Sequence, residues 1–176
     1  DKSFLMLHPS LEIITNIDAD HLGNYENNML NLEKAFVDFV KKLPFNGLLI
    51  ACGDDLVVKK LIPEFTRTVI TYGFEDFNDY MIVDYTAKDL TSEYLLRNKL
   101  GNEFKILLNL PGKHNALNAA AASILALEEG ISVLNIQSAL EKFSGIGRRM
   151  EFLGEIIQDD KKTIVIDDYG HHPTEL

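Results

Sequence analysis

The order of apolar segments in the first half of the chain limits the fold more than any other feature. Short apolar runs at 11–17, 47–52 and 68–72 alternate with segments of helical character at 29–43 and 54–61. The runs are mostly apolar, as expected of strands covered on both faces. Strands that alternate with helices pair in parallel. The sequence therefore predicts an α/β fold with a mostly parallel sheet flanked by helices.

The pattern changes in the second half of the chain. Three further strands are predicted without helices between them, at 80–85, 92–97 and 104–109. They form a small antiparallel appendage, in which Leu100-Gly101-Asn102 supplies a hairpin turn. Two helices are predicted next, at 115–129 and 133–143.

A stretch of small residues at 144–147 marks the expected domain boundary. We expect one domain over 1–146 and the start of a second over 147–176, beginning with two strands. The chain starts at Asp1 rather than Met and stops at Leu176 inside a helix signal, so we expect both ends to be cuts in a longer protein.

The charge balance limits the possible partners. The chain has 17 Lys and Arg against 27 Asp and Glu, a formal net charge of −10. Nucleic acid and anionic membranes both require a basic surface, so neither is expected as a partner. An anionic ligand would need a local cluster of cations or a metal ion. The single cysteine, Cys52, excludes an intrachain disulfide, fits a reducing cytoplasm and follows an apolar run, which predicts a buried structural thiol.

The first polar cluster, at 15–21, directly follows a predicted buried strand. Ligands of open α/β sheets bind beyond the carboxyl ends of strands. Asp18, Asp20 and His21 are residue types that coordinate divalent cations. A polar loop that caps a helix explains the same residues, and the spacing alone favours that simpler interpretation.

The second cluster, at 111–122, opens the first of the two later helices. Gly112 permits a tight turn and Lys113 places a positive charge at the helix start. Asn115 and Asn118 are three residues apart and share a helix face. An amide offers a donor and an acceptor, which matches the edge of an adenine ring. Helix capping and the helix propensity of Ala explain much of this segment, but not the second Asn.

The third and fourth clusters lie near the chain's end. Arg148 and Arg149 follow the flexible stretch and suit a phosphate or a carboxylate, although a solvated charge pair or a salt bridge is an alternative. The segment 167–173 places two carboxylates, a phenol and two imidazoles after a predicted strand. A capping loop with surface histidines is the competing interpretation.

Several catalytic motifs are absent from the sequence. It contains no G-x-S-x-G segment and no zinc-type Cys/His spacing, so acyl-enzyme and zinc chemistry have no support. It also contains no G-x-x-x-x-G-K-[ST] phosphate loop.

Taken together, four segments resemble the Mur ligases: N-I-D-A-D-H at 16–21, G-K-H-N-A-L-N-A-A-A-A at 112–122, G-R-R at 147–149 and D-D-Y-G-H-H-P-T-E at 167–175. The last segment is similar to the members that join L-alanine to UDP-N-acetylmuramate. The resemblance implies an ATP-dependent, Mg²⁺-requiring ligase of peptidoglycan precursor synthesis that works through an acyl phosphate.

The resemblance also implies a three-domain enzyme, of which this chain corresponds to the later part of the central ATPase domain and the first strands of a C-terminal Rossmann-like domain. The phosphate loop and the UDP-sugar domain would then lie before Asp1. We therefore expect the chain alone to be inactive and to bind ATP weakly at best.

Specific residues inherit expected roles from this resemblance. His21 is the expected magnesium ligand. The nucleotide-binding residues are expected to be Asn115, Asn118, Arg148, Arg149, Asp168 and Tyr169. The catalytic residues are expected to be Arg149, His171 and His172.

Two other interpretations stay open at this point. A related ligase that attaches a whole peptide to the same UDP-sugar during wall recycling would carry similar motifs. A non-catalytic α/β module that keeps the Asn pair and binds a nucleotide without ligation is the second alternative.

Overall fold

The computed structural model describes residues 2–20, 22–149, 151–158 and 161–170. The expected site residues His21, His171 and His172 lie outside these ranges. The strands are β1 Leu11–Ile14, β2 Leu48–Cys52, β3 Thr68–Gly73, β4 Tyr80–Lys88, β5 Thr91–Asn98, β6 Glu103–Leu108, β7 Glu151–Gln158 and β8 Lys161–Asp167. The α-helices are α1 Met29–Val40, α2 Leu56–Leu61, α3 Lys113–Glu128 and α4 Val133–Lys142.

One sheet holds the first six strands in the order β1-β2-β3-β4-β5-β6. The first four strands are parallel to one another, and β5 and β6 continue the sheet in antiparallel fashion. This arrangement confirms the predicted fold class. The antiparallel strands are joined to the parallel ones through β4, which pairs with β3 at only two positions, Tyr72 with Tyr80 and Gly73 with Met81.

The sheet lies between two layers of helices. All five residues of β2 are buried, which explains the uninterrupted apolar run in the sequence. Leu49 and Ala51 contribute to the core shared with α1 and α2, whereas Ile50 and Cys52 contribute to the core shared with α3. Side chains of a strand alternate between its faces, so one short strand supplies both cores.

Local signals set the helix boundaries. Asn28 caps α1 by accepting a hydrogen bond from the Leu30 N–H at 2.9 Å, and Asp55 caps α2 through the Val58 N–H at 2.8 Å. Ser132 caps α4 by accepting a hydrogen bond from the Asn135 N–H. The helix α3 begins two residues before the predicted start, because Gly112 reverses the chain with φ +97°.

The strands β7 and β8 form a separate antiparallel pair. The division of the chain at 146/147 stays a prediction. Among the residues that the structure describes, no helix has the length and apolar character needed to cross a membrane.

Candidate functional site

A cleft of about 1620 Å³ opens at the carboxyl ends of the first two parallel strands. Its lining comes from the loop after β1, from α1, from the start of α2, from the end of β6, from α3, from the end of α4, from the linker before β7 and from the segment after β8. The expected site residues in its wall are Asn115, Asn118, Arg149 and Asp168. These residues come from the second, third and fourth polar clusters of the sequence. The first cluster also lines the cavity, so the fold brings all four clusters to one place.

The loop after β1 contributes the first cluster. Thr15, Asn16, Asp18 and Asp20 line the cleft. The Asp18 carboxylate accepts a hydrogen bond from the Ala19 N–H at 2.7 Å. Within residues 2–20, 22–149, 151–158 and 161–170, no group of three or more His, Cys, Asp or Glu is placed to hold a metal ion. The expected ligand His21 lies outside those ranges, so the metal site stays a prediction.

The end of β2 contributes a carboxylate that sequence reasoning missed. Asp54 lines the cleft and accepts hydrogen bonds from the Phe74 N–H at 2.6 Å, the Glu75 N–H at 3.2 Å and the Asn78 amide at 2.9 Å. A Cβ at Gly73 would overlap this carboxylate. These bonds fix the loop between β3 and β4 beside the cleft.

One feature of the sequence could have pointed to Asp54 as a site residue, namely its position just after a buried strand. The pair Asp54-Asp55 follows a buried strand, just as the first polar cluster follows β1. The carboxyl ends of parallel strands meet at one edge of a sheet, so both segments reach the same cavity.

The start of α3 presents the two asparagines differently. The Asn115 amide donates to the Pro111 carbonyl at 2.7 Å, which ties the helix to the loop before it. Asn118 is exposed in the cleft, where Ala119 and Ala122 line the same wall. A Cβ at Gly112 would lie 2.7 Å from His114 Cε1, so the turn requires glycine.

The end of α4 supplies the apolar part of this wall. Leu140 and Phe143 line the cleft together with Ala119 and Ala122 of α3. Small alanines let the cavity extend between the two helices. The result is an apolar slot beside an exposed amide, and small-molecule pockets in general are lined by apolar side chains with a few polar groups.

The two adjacent arginines of the linker lie in different surroundings. Arg149 lines the cleft together with Asp168. Arg148 instead lies with its guanidinium carbon 4.4 Å from the centre of the Tyr169 ring. Of the six expected nucleotide-binding residues, the structure thus places four in the cavity wall and pairs Arg148 and Tyr169 with each other.

Cys52 has the structural character expected of it. The residue is 2% exposed in the core beside α3. Burial raises the pKa of its thiol, and nearby Asp54 and Asp55 add to that effect against two backbone hydrogen bonds that lower it. A thiol that stays protonated is a poor nucleophile.

Comparison with known proteins identifies the family. The sequence profile of the Mur ligase middle domain matches residues 2–126. The chain belongs to the Mur ligase family. The resemblance to the Mur ligases is therefore confirmed at the level of the family.

Solved Mur ligase structures share this fold. The UDP-N-acetylmuramate-alanine ligase MurC from Thermotoga maritima superposes with a TM-score of 0.82 at 26% identity, over 99% of this chain and 38% of that protein. The murein peptide ligase from Psychrobacter arcticus gives a TM-score of 0.69, also at 26% identity, over 98% of this chain and 34% of that protein.

A more distant Mur ligase likeness concerns the fold alone. The MurF ligase from Thermotoga maritima, solved in complex with ADP, gives a TM-score of 0.74 at 17% identity, over 95% of this chain and 37% of that protein. The chain spans a little over a third of the length of these relatives.

Proposed function

We propose that this chain is the nucleotide-binding part of a Mur ligase that joins L-alanine to the carboxylate of UDP-N-acetylmuramate at the expense of ATP. The observation that carries the proposal is the cleft, where Asn118, Arg149 and Asp168 come together from segments far apart in the sequence. Membership of the Mur ligase family supports the ligase chemistry.

In this proposal the adenine of ATP enters the slot between α3 and α4. The exposed Asn118 amide pairs with the ring edge, and Ala119 and Ala122 leave room for the ring itself. Asn115 holds the start of the helix through Pro111 and also lines the wall. Asp168 lies where it can accept a hydrogen bond from the ribose.

Arg149 is the proposed partner of the phosphate groups. A guanidinium binds phosphate oxygens in pairs, and phosphoryl transfer depends mostly on positioning and charge neutralisation. A protein with a net charge of −10 needs such cations at the nucleotide. His171 and His172, outside the described residues, stay proposed as catalytic residues.

The proposed reaction has two steps. The γ-phosphoryl group of ATP is transferred to an oxygen of the muramoyl carboxylate. The bond between the γ-phosphorus and the oxygen that bridges it to the β-phosphate breaks, and ADP leaves. The amine nitrogen of L-alanine then attacks the carbonyl carbon, the bond to phosphate breaks, and the nitrogen loses a proton. Because the reaction consumes ATP and a nucleotide-linked sugar, we place it in the bacterial cytoplasm.

Mg²⁺ is part of the proposal, with His21 as its expected ligand. When bound, the ion neutralises phosphate charge. Asp18 and Asp20 precede His21 in the sequence and line the cleft, and carboxylate oxygens are ligands that this cation prefers. We expect chelation of Mg²⁺ to weaken ATP binding.

The alternative amine substrate is a peptide. The murein peptide ligase shares as much sequence identity with this chain as MurC does. The segment at 167–175 supports the L-alanine assignment, since its D-D-Y-G-H-H-P-T-E sequence is similar to that of the alanine-adding members.

The test is amine-dependent release of phosphate from ATP by the complete protein that contains this chain, with UDP-N-acetylmuramate as the acid. We expect release with L-alanine and little with a short peptide that begins with L-alanine. The reverse preference would assign the recycling ligase instead. ATP binding without any amine-dependent turnover would favour a non-catalytic nucleotide-binding module.

A further inference from the structure

Arg148 and Tyr169 form a stacked pair at the base of the β7–β8 hairpin. The guanidinium carbon of Arg148 lies 4.4 Å from the centre of the Tyr169 ring, a distance at which a cation is attracted to the ring face. The Tyr169 N–H donates to the Arg148 carbonyl at 2.9 Å. Side chain and backbone therefore join the same two residues.

Two acidic residues hold Arg148 in this position. Its N–H donates to a carboxylate oxygen of Glu151 at 2.7 Å, and its Nε lies 4.0 Å from an Asp167 oxygen. The backbone of Arg148 is left-handed, with φ +60°. A residue other than glycine keeps such a conformation only when its surroundings fix it.

The sequence neighbours of this pair line the cleft. Arg149 follows Arg148, Asp168 precedes Tyr169, and both neighbours belong to the cavity wall. A fixed orientation of Arg148 and Tyr169 therefore fixes where the backbone of Arg149 and Asp168 enters the cleft.

We propose that Arg148 and Tyr169 are positioning residues, whose stacking holds Arg149 and Asp168 together as one unit that faces the nucleotide. The inference rests on the proposed ATP site and adds to it a division of labour between the two arginines. Arg149 contacts the phosphates, and Arg148 acts through Tyr169. An arginine suits this task because its planar guanidinium stacks on an aromatic face, which an ammonium does less well.

Binding of a fluorescent ATP analogue to a set of variants tests this inference. Arg148→Met and Tyr169→Leu remove the two partners singly and together, and Tyr169→Phe keeps the ring without its hydroxyl. Arg97→Met is the matched control, because Arg97 forms an exposed ion pair with Glu103 in the distant β5–β6 hairpin.

We expect each disruptive single variant to raise the Kd for the analogue about fivefold, which corresponds to the loss of one exposed cation–ring contact. The double variant should raise it no further, because both changes break the same contact. Tyr169→Phe should restore the affinity lost in Tyr169→Leu, and the Arg97→Met control should leave it unchanged.

A second readout does not depend on ATP. The Nε proton of Arg148 should resonate upfield because of the Tyr169 ring current, and this shift should persist in Tyr169→Phe and vanish in Tyr169→Leu. Its absence from the wild type would overturn the stacked geometry.

Three affinity results would overturn the inference alone, with the ATP site intact: no effect of either single variant, an effect of Arg148→Met without one of Tyr169→Leu, or two effects that multiply in the double variant. A wild-type protein that does not bind the analogue would overturn the proposed function and this inference together.

Discussion

Glu12 is a carboxylate buried in an apolar layer, and its removal gives a sharp prediction. The residue is 5% exposed on β1, opposite Leu49 of β2. Neither carboxylate oxygen has a hydrogen-bond partner among the residues that the structure describes. Burial raises the pKa of Glu12 from 4.5 to about 7. The folded protein therefore favours the neutral acid at this position.

The raised pKa makes the stability of the fold depend on pH in a defined direction. Between pH 4.5 and about 7, Glu12 is protonated in a larger fraction of folded molecules than of unfolded molecules. The stability that this proton contributes is fully present below pH 4.5 and is lost as the pH rises through about 7. The whole effect corresponds to about 3 kcal/mol, of which about 2 kcal/mol falls between about pH 5.5 and about pH 8.

Urea unfolding of the wild type and Glu12→Gln at these two pH values, followed by circular dichroism, measures the effect. The wild type should lose about 2 kcal/mol more unfolding free energy than the variant between about pH 5.5 and about pH 8. Glu129→Gln, which removes the same charge at an exposed position, is the control and should follow the wild type. Equal losses in the wild type and Glu12→Gln would refute the reasoning.

Three further changes test the site and the loop beside it. Asn118→Ala should raise the KM for ATP about tenfold and that for L-alanine much less, since an adenine contact is worth roughly one hydrogen bond; an unchanged KM for ATP would reject the contact. Asp54→Ala should lower the unfolding free energy by about 2 kcal/mol, because it leaves the donors of the 74–78 loop unpaired; urea unfolding measures this, and an unaltered midpoint would contradict it. Burial would raise the pKa of Asp79, but hydrogen bonds from Lys99 and Thr71 outweigh burial and lower it. The stability that the Asp79 carboxylate contributes is therefore lost as the pH falls below 3.8. In an acid unfolding titration, Asp79→Asn should make the unfolding free energy depend less on pH in this range. An unchanged acid midpoint would count against the ion pair.

Local patterns were enough to predict the parallel half of the fold. The uninterrupted apolar run of β2 and the amphipathic spacing of α1 are set by neighbours within a few residues, and both elements form where expected. The way β4 joins the sheet was beyond such patterns. Its link to β3 consists of two residue pairs, and nothing local distinguishes that link from a separate small sheet.

The candidate site divides in the same way. Polar clusters and the family resemblance predicted Asn118, Arg149 and Asp168 as site residues, and all three line the cleft. The bonds from Asp54 to the loop near Phe74 join residues 20 positions apart, so no local signal predicts them. The pairing of Arg148 with Tyr169 depends likewise on the return of β8 beside the linker, and only the folded chain shows that the two arginines lie in different surroundings.

The central claim is that the cleft between α3 and the linker binds ATP. Amide chemical-shift mapping of the 19.8 kDa chain with Mg-ATP tests it most directly. We predict that the largest shifts fall on Asn115, Asn118, Arg149 and Asp168, with none of similar size in the β5–β6 hairpin. Saturating nucleotide that leaves those four amides unmoved, or that moves a different surface, would contradict the account.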